Sequence, residues 1–355
     1  MQRFWGMVIK PVFELVRPEV IVEIGSDQGD NTKNLLGFCE KTGAKLHVVD
    51  PAPGYDASEW RREHGEHFVF HEDLSLNALP RIEAFDAVLI DGDHNWYTVF
   101  NELKLIERLC EERSQGFPLV LLHDIGWPYG RRDLYYDPDT IPQEYRKPHE
   151  KKGMMPGVPG LVEAGGMNRH LWNAVQEGEP REGVLTAVED FLGETSNRLE
   201  LITAPGINGL GILVPSRLKE QNAEFARILE NLNFSPFVER YIEGIEWARQ
   251  FLEIRRQGQV RELNEQIRHA RHDVAKLTRW MEEMEDGVSA LLNSRQWKAG
   301  RAFGELYRKA SRKKPAESAV DEHQKDILRR FQAWREDHER SPDDVATEDE
   351  HKPEA

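Results

Sequence analysis

Residues 20–30 read VIVEIGSDQGD, an apolar run that ends in a turn containing two glycines. Five consecutive residues that are mostly β-branched predict a buried strand, and a helical pattern follows at residues 32–41. Glycine permits a tight turn and lets the backbone approach a ligand closely. The stretch therefore predicts a strand, a turn and a helix, with the turn next to a ligand.

Four further apolar runs alternate with helical segments, and each of the five runs ends on an acid. The predicted strands lie near 20–25, 45–50, 67–71, 85–91 and 118–123, and the acids are Glu23, Asp50, Asp73, Asp91 and Asp124. Such runs are typical of parallel strands buried on both faces. Ligands of open α/β sheets bind at the carboxyl ends of the strands. Because an unpaired buried acid is costly, we expect a ligand or a metal to meet these side chains.

Two more strands are predicted at 199–204 and 209–215, after a helical pattern at 183–195. Only Pro205-Gly206-Ile207-Asn208 joins them. This link is too short for a crossover helix, so the two strands should pair antiparallel. The sequence thus predicts an α/β fold over residues 1–215, with a mostly parallel sheet that ends in an antiparallel hairpin.

Charge and composition exclude several classes of protein. The 355 residues carry a net charge of −16, which repels a phosphate backbone and argues against nucleic acid as a partner. Cys39 and Cys110 both lie in helical patterns, as expected of buried thiols in a reducing compartment. No apolar run reaches the roughly 18 residues of a membrane span, and no signal peptide is recognisable. We therefore expect a cytoplasmic protein that can touch the inner membrane peripherally.

The turn after the first strand resembles the first motif of class I S-adenosylmethionine-dependent methyltransferases, which have a Rossmann-like seven-stranded sheet. The dinucleotide fingerprint needs G-x-G-x-x-G, whereas this chain has Gly25-x-x-x-Gly29, which disfavours a nicotinamide-dependent oxidoreductase. Asp27 stands where many methyltransferases have a second glycine. The resemblance implies that S-adenosyl-L-methionine is the cofactor and that the motif contacts it through Glu23, Gly25, Ser26, Asp27 and Gly29.

Two further acids are candidates for the nucleoside part of the cofactor. Asp50 ends the second strand, where an acid commonly binds ribose hydroxyls. Since Pro51 follows, a turn or cap is its alternative role. By resemblance, Asp73 would lie near the adenine amine, and its alternative is an N-cap for a helix that begins at Leu74.

The fourth strand ends in IDGDHNWY, residues 90–97, and the fifth in His123-Asp124. Together these resemble the family typified by macrolide-sugar and other small-molecule O-methyltransferases, many of which use Mg²⁺. The resemblance implies that Asp91 and Asp124 bind the metal and that His94 is the general base. His123 suits Mn²⁺ better than Mg²⁺, and it could instead contact the substrate or lie behind the metal ligands.

Residues 126–181 lack periodicity and are rich in Gly, Pro and aromatic residues. A long irregular segment of this kind is typical of a functional lid. Arg131, Arg132 and Tyr135 are candidates for holding an anionic or sugar-like substrate, because arginine forks suit carboxylates and phosphates. Ordinary surface salt bridges are the alternative for this segment.

The remainder of the chain is predicted to be helical, in three parts. Residues 216–294 include a heptad pattern at 260–291, which predicts a coiled coil and a homo-oligomer. Residues 295–314 hold eight basic residues and an apolar stripe, which predicts an amphipathic helix able to lie on an anionic membrane or on a partner. Residues 315–355 predict a short helix and an acidic, disordered tail.

Residues 291–301, LLNSRQWKAGR, resemble a short SRSWR motif found after coiled coils in bacterial proteins of surface-polysaccharide assembly. This resemblance favours a sugar or glycan as the methyl acceptor and contact with a glycan-assembly complex. The sequence thus predicts a metal-assisted O-methyltransferase. The alternative hypothesis is a scaffold without catalysis, in which the α/β domain binds a nucleoside and the helical part recruits the complex.

Overall fold

A computed structural model of the protein describes residues 1–232 and 234–311, together with residues 326, 329 and 330. The chain divides into two compact units, Met1–Arg261 and Glu262–Ala355. The first unit extends well past residue 215, where the sequence places the end of the α/β domain. The predicted short helix and acidic tail at 315–355 lie outside the described residues, apart from the three isolated positions.

A seven-stranded sheet forms the centre of the first unit, in the order β3-β2-β1-β4-β5-β10-β9. Five strands are parallel: β1 (Val20–Ile24), β2 (Lys45–Val49), β3 (Phe68–His71), β4 (Ala87–Ile90) and β5 (Leu119–His123). β10 (Leu210–Pro215) runs antiparallel to β5 and to β9 (Leu199–Ala204), while β6 to β8 form a separate small sheet. The mixed α/β sheet with a terminal hairpin is therefore confirmed.

The order of the strands places a topological switch point between β1 and β4. The chain leaves β1 towards β2 and β3 on one side, and then returns to build β4 and β5 on the other. The loops after β1 and β4 consequently diverge, which opens a crevice at the carboxyl edge of the sheet. All five acids that end the predicted strands lie in or beside this edge.

Helices cover both faces of the sheet. One face carries α4 (Ser75–Ala78), α5 (Trp96–Glu112) and α6 (Val184–Glu194). The other face carries α1 (Lys10–Val16), α2 (Asp30–Thr42), α3 (Ala57–His64) and α8 (Ala223–Glu230). In α5, Val99, Leu103 and Ile106 are fully buried, at the spacing that gives a helix one apolar side. Asn95 caps this helix by accepting a hydrogen bond from the Thr98 amide (2.8 Å).

Residues 2–16 are helical, which the sequence does not predict. Helical turns at Gln2–Phe4 and Trp5–Ile9 lead directly into α1. Phe4, Ile9 and Phe13 are buried against the sheet. The segment thus belongs to the core of the first unit.

The predicted lid, residues 126–181, is more regular than its sequence indicates. It contains a three-stranded sheet in the order β6-β8-β7, made of β6 (Leu134–Tyr135), β7 (His149–Glu150) and β8 (Trp172–Ala174). Two isolated antiparallel β-bridges also pair Gly153 with Val162 and Met154 with Met167. Strands of two or three residues are too short to show an alternating pattern, so the periodicity of the sequence could not indicate these pieces.

After the sheet come α7 (Ser216–Gln221), α8, α9 (Pro236–Asn293) and α10 (Arg295–Ala310). Helix α9 begins at the predicted proline and is continuous through Gly258 and Gly287. The predicted coiled coil within it stays a prediction. Among the described helices, none combines the length and the apolar character that crossing a bilayer requires.

Candidate active site

The turn after β1 passes very close to the end of β4. A Cβ atom on Gly25 would lie 2.4 Å from the backbone oxygen of Asp91, and φ at Gly25 is +82°. No other residue type fits both the conformation and the contact. Asp27 also has a positive φ, 46°, at the position where a second glycine is common in related motifs. Gly25 therefore lets the turn after β1 pack directly against the backbone at the end of β4.

Asp50 lies at the end of β2 and binds this turn directly. Its Oδ2 accepts hydrogen bonds from the Ser26 amide (2.8 Å), the Ser26 hydroxyl (2.8 Å) and the Asp27 amide (3.1 Å). Its Oδ1 accepts one from the amide of Ala52 (2.9 Å). Asp50 thus stabilises two turns, which is its alternative role. It also lies at the crevice, where the predicted contact with ribose hydroxyls stays a prediction.

Glu23 and Asp73 are placed differently. Both oxygens of Glu23 accept hydrogen bonds from α2, from Asn31 (2.8 Å) and Thr32 (2.6 Å), and burial raises the pKa of this acid to about 7. Glu23 therefore links β1 to α2, instead of the predicted cofactor contact. Asp73 accepts from the Leu74 amide, Asn77 and Arg81, which is close to its alternative capping role.

Four side chains converge at the carboxyl ends of β4 and β5. They are Asp91, His94, His123 and Asp124, and their ligand atoms all lie within 4.8 Å of one another. Oδ2 of Asp124 is 2.8 Å from both His94 Nε2 and His123 Nδ1. Oδ1 of Asp91 is 3.1 Å from His123 Nδ1 and 3.7 Å from His94 Nε2. The amino group of Met1 also contacts Asp91 Oδ2 (2.7 Å).

Several buried polar atoms of this cluster lack a hydrogen bond within the described chain. They are Oδ1 of Asp124 and both ring nitrogens of His94, whose Nε2 approaches Asp124 closely but in poor alignment for a hydrogen bond. Buried polar atoms are normally paired, so unpaired ones indicate a missing ligand. Two carboxylates and two imidazoles form a donor set that suits Mn²⁺, Fe²⁺ or Zn²⁺ better than Mg²⁺. The residues therefore fit a divalent transition metal.

The charges of the cluster stabilise one another. Burial alone would raise the pKa of both acids, but the imidazoles lower the pKa of Asp91 and hold that of Asp124 well below its ordinary range. Burial alone would lower the pKa of both histidines, but the acids raise the pKa of His123 to about 9 and that of His94 well above 6.5. Without a metal, the two acids therefore favour the protonated form of both imidazoles.

The three predicted substrate residues of the lid have protein partners. Arg131 pairs with Glu189, and the fully buried Arg132 donates to the backbone oxygens of Ala174 and Pro159. The Tyr135 hydroxyl donates to Asp133 (2.8 Å). These side chains hold the lid together in this structure, and the predicted contact with substrate stays a prediction. In sequence, an arginine that binds protein carbonyls cannot be told from one that binds a ligand anion, because its fork suits both.

The lid instead approaches the site through residues that the sequence does not single out. The ring of Tyr129 lies 5.6 Å from the ring of His94, and that of Tyr136 lies 6.2 Å from it, measured between centroids. Asp133 accepts hydrogen bonds from the Trp96 amide at the start of α5 (2.8 Å) and from the Gly183 amide (2.7 Å). An aromatic residue two or three positions from a charged pair is too common in sequence to be recognised as a signal.

Helix α9 also contributes contacts beside the site. The carboxylate of Glu246 accepts from the amides of Ile207 (2.9 Å) and Asn208 (3.0 Å), which have left-handed φ values of 51° and 64°. Arg249 donates to both Glu246 and Asn208 (2.6 Å each). The backbone oxygen of Asn208 in turn accepts from the amide of Gly126 (2.6 Å), two residues after Asp124.

A half-open cavity of about 360 Å³ lies between α9, the turn from β9 to β10 and the start of the lid. Its walls include Trp127, Pro205, Asn208, Glu243, Trp247 and Gln250, together with Ile125 and Gly126. Of these wall residues, Ile125 directly follows Asp124 in the chain. The cavity combines aromatic faces with amide and carboxylate groups.

A family described as "Methyltransferase domain" matches residues 22–125, from β1 to just beyond β5. This segment is similar to that methyltransferase domain family. It contains the glycine turn, Asp50, Asp73 and the complete four-residue cluster. A search of curated proteins finds no significant match to the chain.

Several solved methyltransferase structures are similar to this chain. A Podospora anserina methyltransferase bound to SAH is 15% identical, with a TM-score of 0.36, over 57% of this chain and 75% of its own. A Bacillus cereus O-methyltransferase in complex with SAH is 13% identical, with a TM-score of 0.33, over 60% and 80%. The Burkholderia thailandensis 1,6-didemethyltoxoflavin-N1-methyltransferase is 11% identical, with a TM-score of 0.32, over 58% and 76%. These values do not transfer a substrate to this chain.

Proposed function

We propose that the protein is an S-adenosylmethionine-dependent O-methyltransferase that uses a divalent metal and methylates a hydroxyl of a sugar or glycan. The observation that carries the proposal is the meeting of two carboxylates and two histidines at the switch point, inside a methyltransferase domain. A purely structural cluster would have its polar atoms paired, and this one does not.

The methyl donor would lie in the crevice between the turn after β1 and the end of β2. Gly25 lets the backbone approach the donor, and the Asp50 carboxylate is placed to accept hydrogen bonds from ribose hydroxyls. In-line transfer of the methyl group from sulfonium sulfur to oxygen depends chiefly on such alignment. The main contribution of the crevice walls would therefore be to align the methyl donor with the acceptor oxygen.

The metal would be held by Asp91 and Asp124, with His123 as a further ligand. A metal held there would supply a Lewis acid that makes the acceptor hydroxyl more acidic. In the metal-free cluster, Asp124 and Asp91 raise the pKa of His94, which favours its protonated form and opposes its action as a base. A cation that offsets the charges of the two acids would return this imidazole to its neutral form. His94 could then take the hydroxyl proton as the methyl group is transferred.

The cavity beside the cluster supports a sugar as the acceptor. Its volume of about 360 Å³ lies at the low end of the range for small-molecule sites. The faces of Trp127 and Trp247 suit the C–H surface of a sugar ring, while Asn208, Glu243 and Gln250 suit its hydroxyls. Two of its wall residues, Ile125 and Gly126, directly follow Asp124 in the chain. The proposal requires that a hydroxyl of the bound ring reach from this cavity to the cluster.

The deciding experiment is a methyl-transfer assay with labelled S-adenosylmethionine, glycan extracts and sugar nucleotides, with Mn²⁺, with Mg²⁺ or with EDTA. We expect labelled glycan and S-adenosylhomocysteine, with more product in Mn²⁺ than in Mg²⁺ and little in EDTA. Calorimetric titration with Mn²⁺ should show binding that is lost in Asp124→Asn and retained in Asp30→Asn, an exposed acid away from the cluster. Product formation that is unchanged by EDTA would remove the metal from the proposal.

The acceptor cavity has its own test. Trp247→Ala should raise KM for the acceptor and leave the affinity for S-adenosylmethionine unchanged. Tyr241→Ala is the matched control, since it removes an exposed aromatic ring from the same helix outside the cavity. If both variants have the wild-type KM, the acceptor binds elsewhere.

The alternative is a scaffold that binds a nucleoside without catalysis. Tight binding of S-adenosylmethionine, combined with no S-adenosylhomocysteine from any glycan fraction in any metal, would favour the scaffold. The four-residue cluster argues against it, because a site that only binds a nucleoside does not need two acids and two histidines on the acceptor side of the crevice.

A further inference from the structure

The second half of α9 presents a continuous apolar stripe to solvent. We name this stripe the seam; its ten residues are Val260, Leu263, Ile267, Ala270, Val274, Leu277, Met281, Met284, Val288 and Leu291. Eight of them are large side chains that are between 38% and 64% exposed. The steps along the seam alternate between three and four residues throughout, as in helices that supercoil around a partner. The seam therefore has the form of one half of a coiled coil.

Charge is distributed around this helix as a buried seam requires. The outer positions, those farthest from the seam, are charged at nine of fourteen places between residues 261 and 290. Over the same range, the eight positions that flank the seam have only three charges, Arg271, Asp273 and Glu285. If the whole helix were surrounded by water, the flanking positions would be expected to carry as many charged residues as the outer positions. The flanks are therefore suited to contact with another helix.

We propose that the partner is a second copy of this chain, aligned parallel and in register through the seam. In that alignment, a flanking residue on one side of the seam lies opposite the residue five positions later on the other copy. The resulting pairs are Gln259 with Asn264, Gln266 with Arg271, Asp273 with Thr278, and Trp280 with Glu285. None of these pairs brings two like charges together. Every layer of the seam is apolar, so self-pairing leaves no polar group buried.

The experiment measures the mass of the full chain in solution by light scattering after size exclusion. Wild type should have twice the chain mass of 41.1 kDa. Val274→Glu with Leu277→Glu should reduce the mass to that of a single chain. The control is Ala275→Glu with Ala290→Glu, which adds the same two charges at outer positions and should keep the double mass. Circular dichroism checks that helix content is equal in all variants, and glutamate is a good helix former.

A cysteine variant tests the parallel alignment. Leu263→Cys lies in the seam near one end, so two copies in parallel register bring the two thiols together. Mild oxidation should then give a covalent dimer, whereas Glu265→Cys at an outer position should not. The chain's own Cys39 and Cys110 are buried and do not interfere. A monomeric wild type, or a double mass that the seam variant leaves unchanged, overturns the proposal. A dimer that fails to cross-link through Leu263→Cys overturns its parallel alignment.

Discussion

The Oδ2 oxygen of Asp124 lies 2.8 Å from Nδ1 of His123, the residue directly before it. Consecutive side chains of a strand normally point to opposite faces of the sheet. Here the backbone leaves β5 with a left-handed φ of 58° at Asp124, which allows both side chains to turn to the same site. A strained conformation of this kind costs about 1–3 kcal/mol of folding free energy and is typical of functional sites.

This pairing predicts how the stability of the metal-free protein depends on pH. The pKa of His123 is raised to about 9, so the folded protein holds this proton more tightly than the unfolded chain does. The stabilisation is complete below pH 6.5 and is lost as the pH rises through 9. Urea unfolding in EDTA should therefore show falling stability over this window. Glu102, whose pKa burial raises to about 8, contributes with the same sign, so His123→Asn should flatten the profile only in part. Identical slopes in both proteins would contradict the assignment.

Cofactor binding should depend on Asp50 and hardly at all on Asp73. Asp50→Asn removes charge-assisted hydrogen bonds in the crevice, which should weaken S-adenosylmethionine binding by about 10- to 150-fold. Asp73→Asn should change it by less than about threefold, because the Asp73 carboxylate is paired with Arg81 (2.8 Å) and does not bind the turn after β1. Calorimetric titration of both variants measures this difference. Equal losses would place the adenine next to Asp73 after all.

The close approach of Gly25 to Asp91 predicts a large cost for adding one methyl group. Gly25→Ala should destabilise the protein by about 2–4 kcal/mol, since it meets both a backbone clash and a positive φ. Gly37→Ala is the control, because it lies in α2 with nothing within 4 Å of its added methyl group. That variant should gain about 0.5–1 kcal/mol from helix propensity. Chemical denaturation of both proteins tests the contrast.

Helix α10 should bind anionic lipid. Phe303, Leu306 and Tyr307 are 77%, 65% and 76% exposed, on a helix that is rich in basic residues. A basic amphipathic helix binds anionic membranes through its apolar face and its charges together. The protein should therefore sediment with phosphatidylglycerol vesicles more than with phosphatidylcholine vesicles. Phe303→Ser with Leu306→Ser should reduce this binding, whereas Gln296→Ser should not. Equal sedimentation with both lipids would remove the membrane from the function of this helix.

The sheet could be predicted from sequence because each of its strands is a compact apolar run. The hairpin followed from the length of one link, at residues 205–208. Helix α3 escaped notice because it has no buried residue and therefore no apolar period. The first helical segment was hidden by Lys10 and Pro11, which interrupt its apolar pattern, although a proline is tolerated in the first turn of α1.

The site could be predicted in part for a related reason. Parallel strands bring their ends to one edge, so the acids after β4 and β5 had to lie close together. The structural role of Arg132 could not be predicted, since its partner Ala174 is 42 residues away and belongs to a strand of three residues. The same holds for Glu246, whose contacts with the turn before β10 span 38 and 39 residues.

The contacts of Glu246 have a practical consequence for preparing shorter fragments. A fragment that stops at residue 215, where the sheet ends, would lack the carboxylate that receives the amides of Ile207 and Asn208. Those two left-handed residues would then face water without their partner, and the neighbouring Gly126 would lose its fixed acceptor. Crystallisation trials on the first unit should therefore begin from a fragment that extends through Arg261.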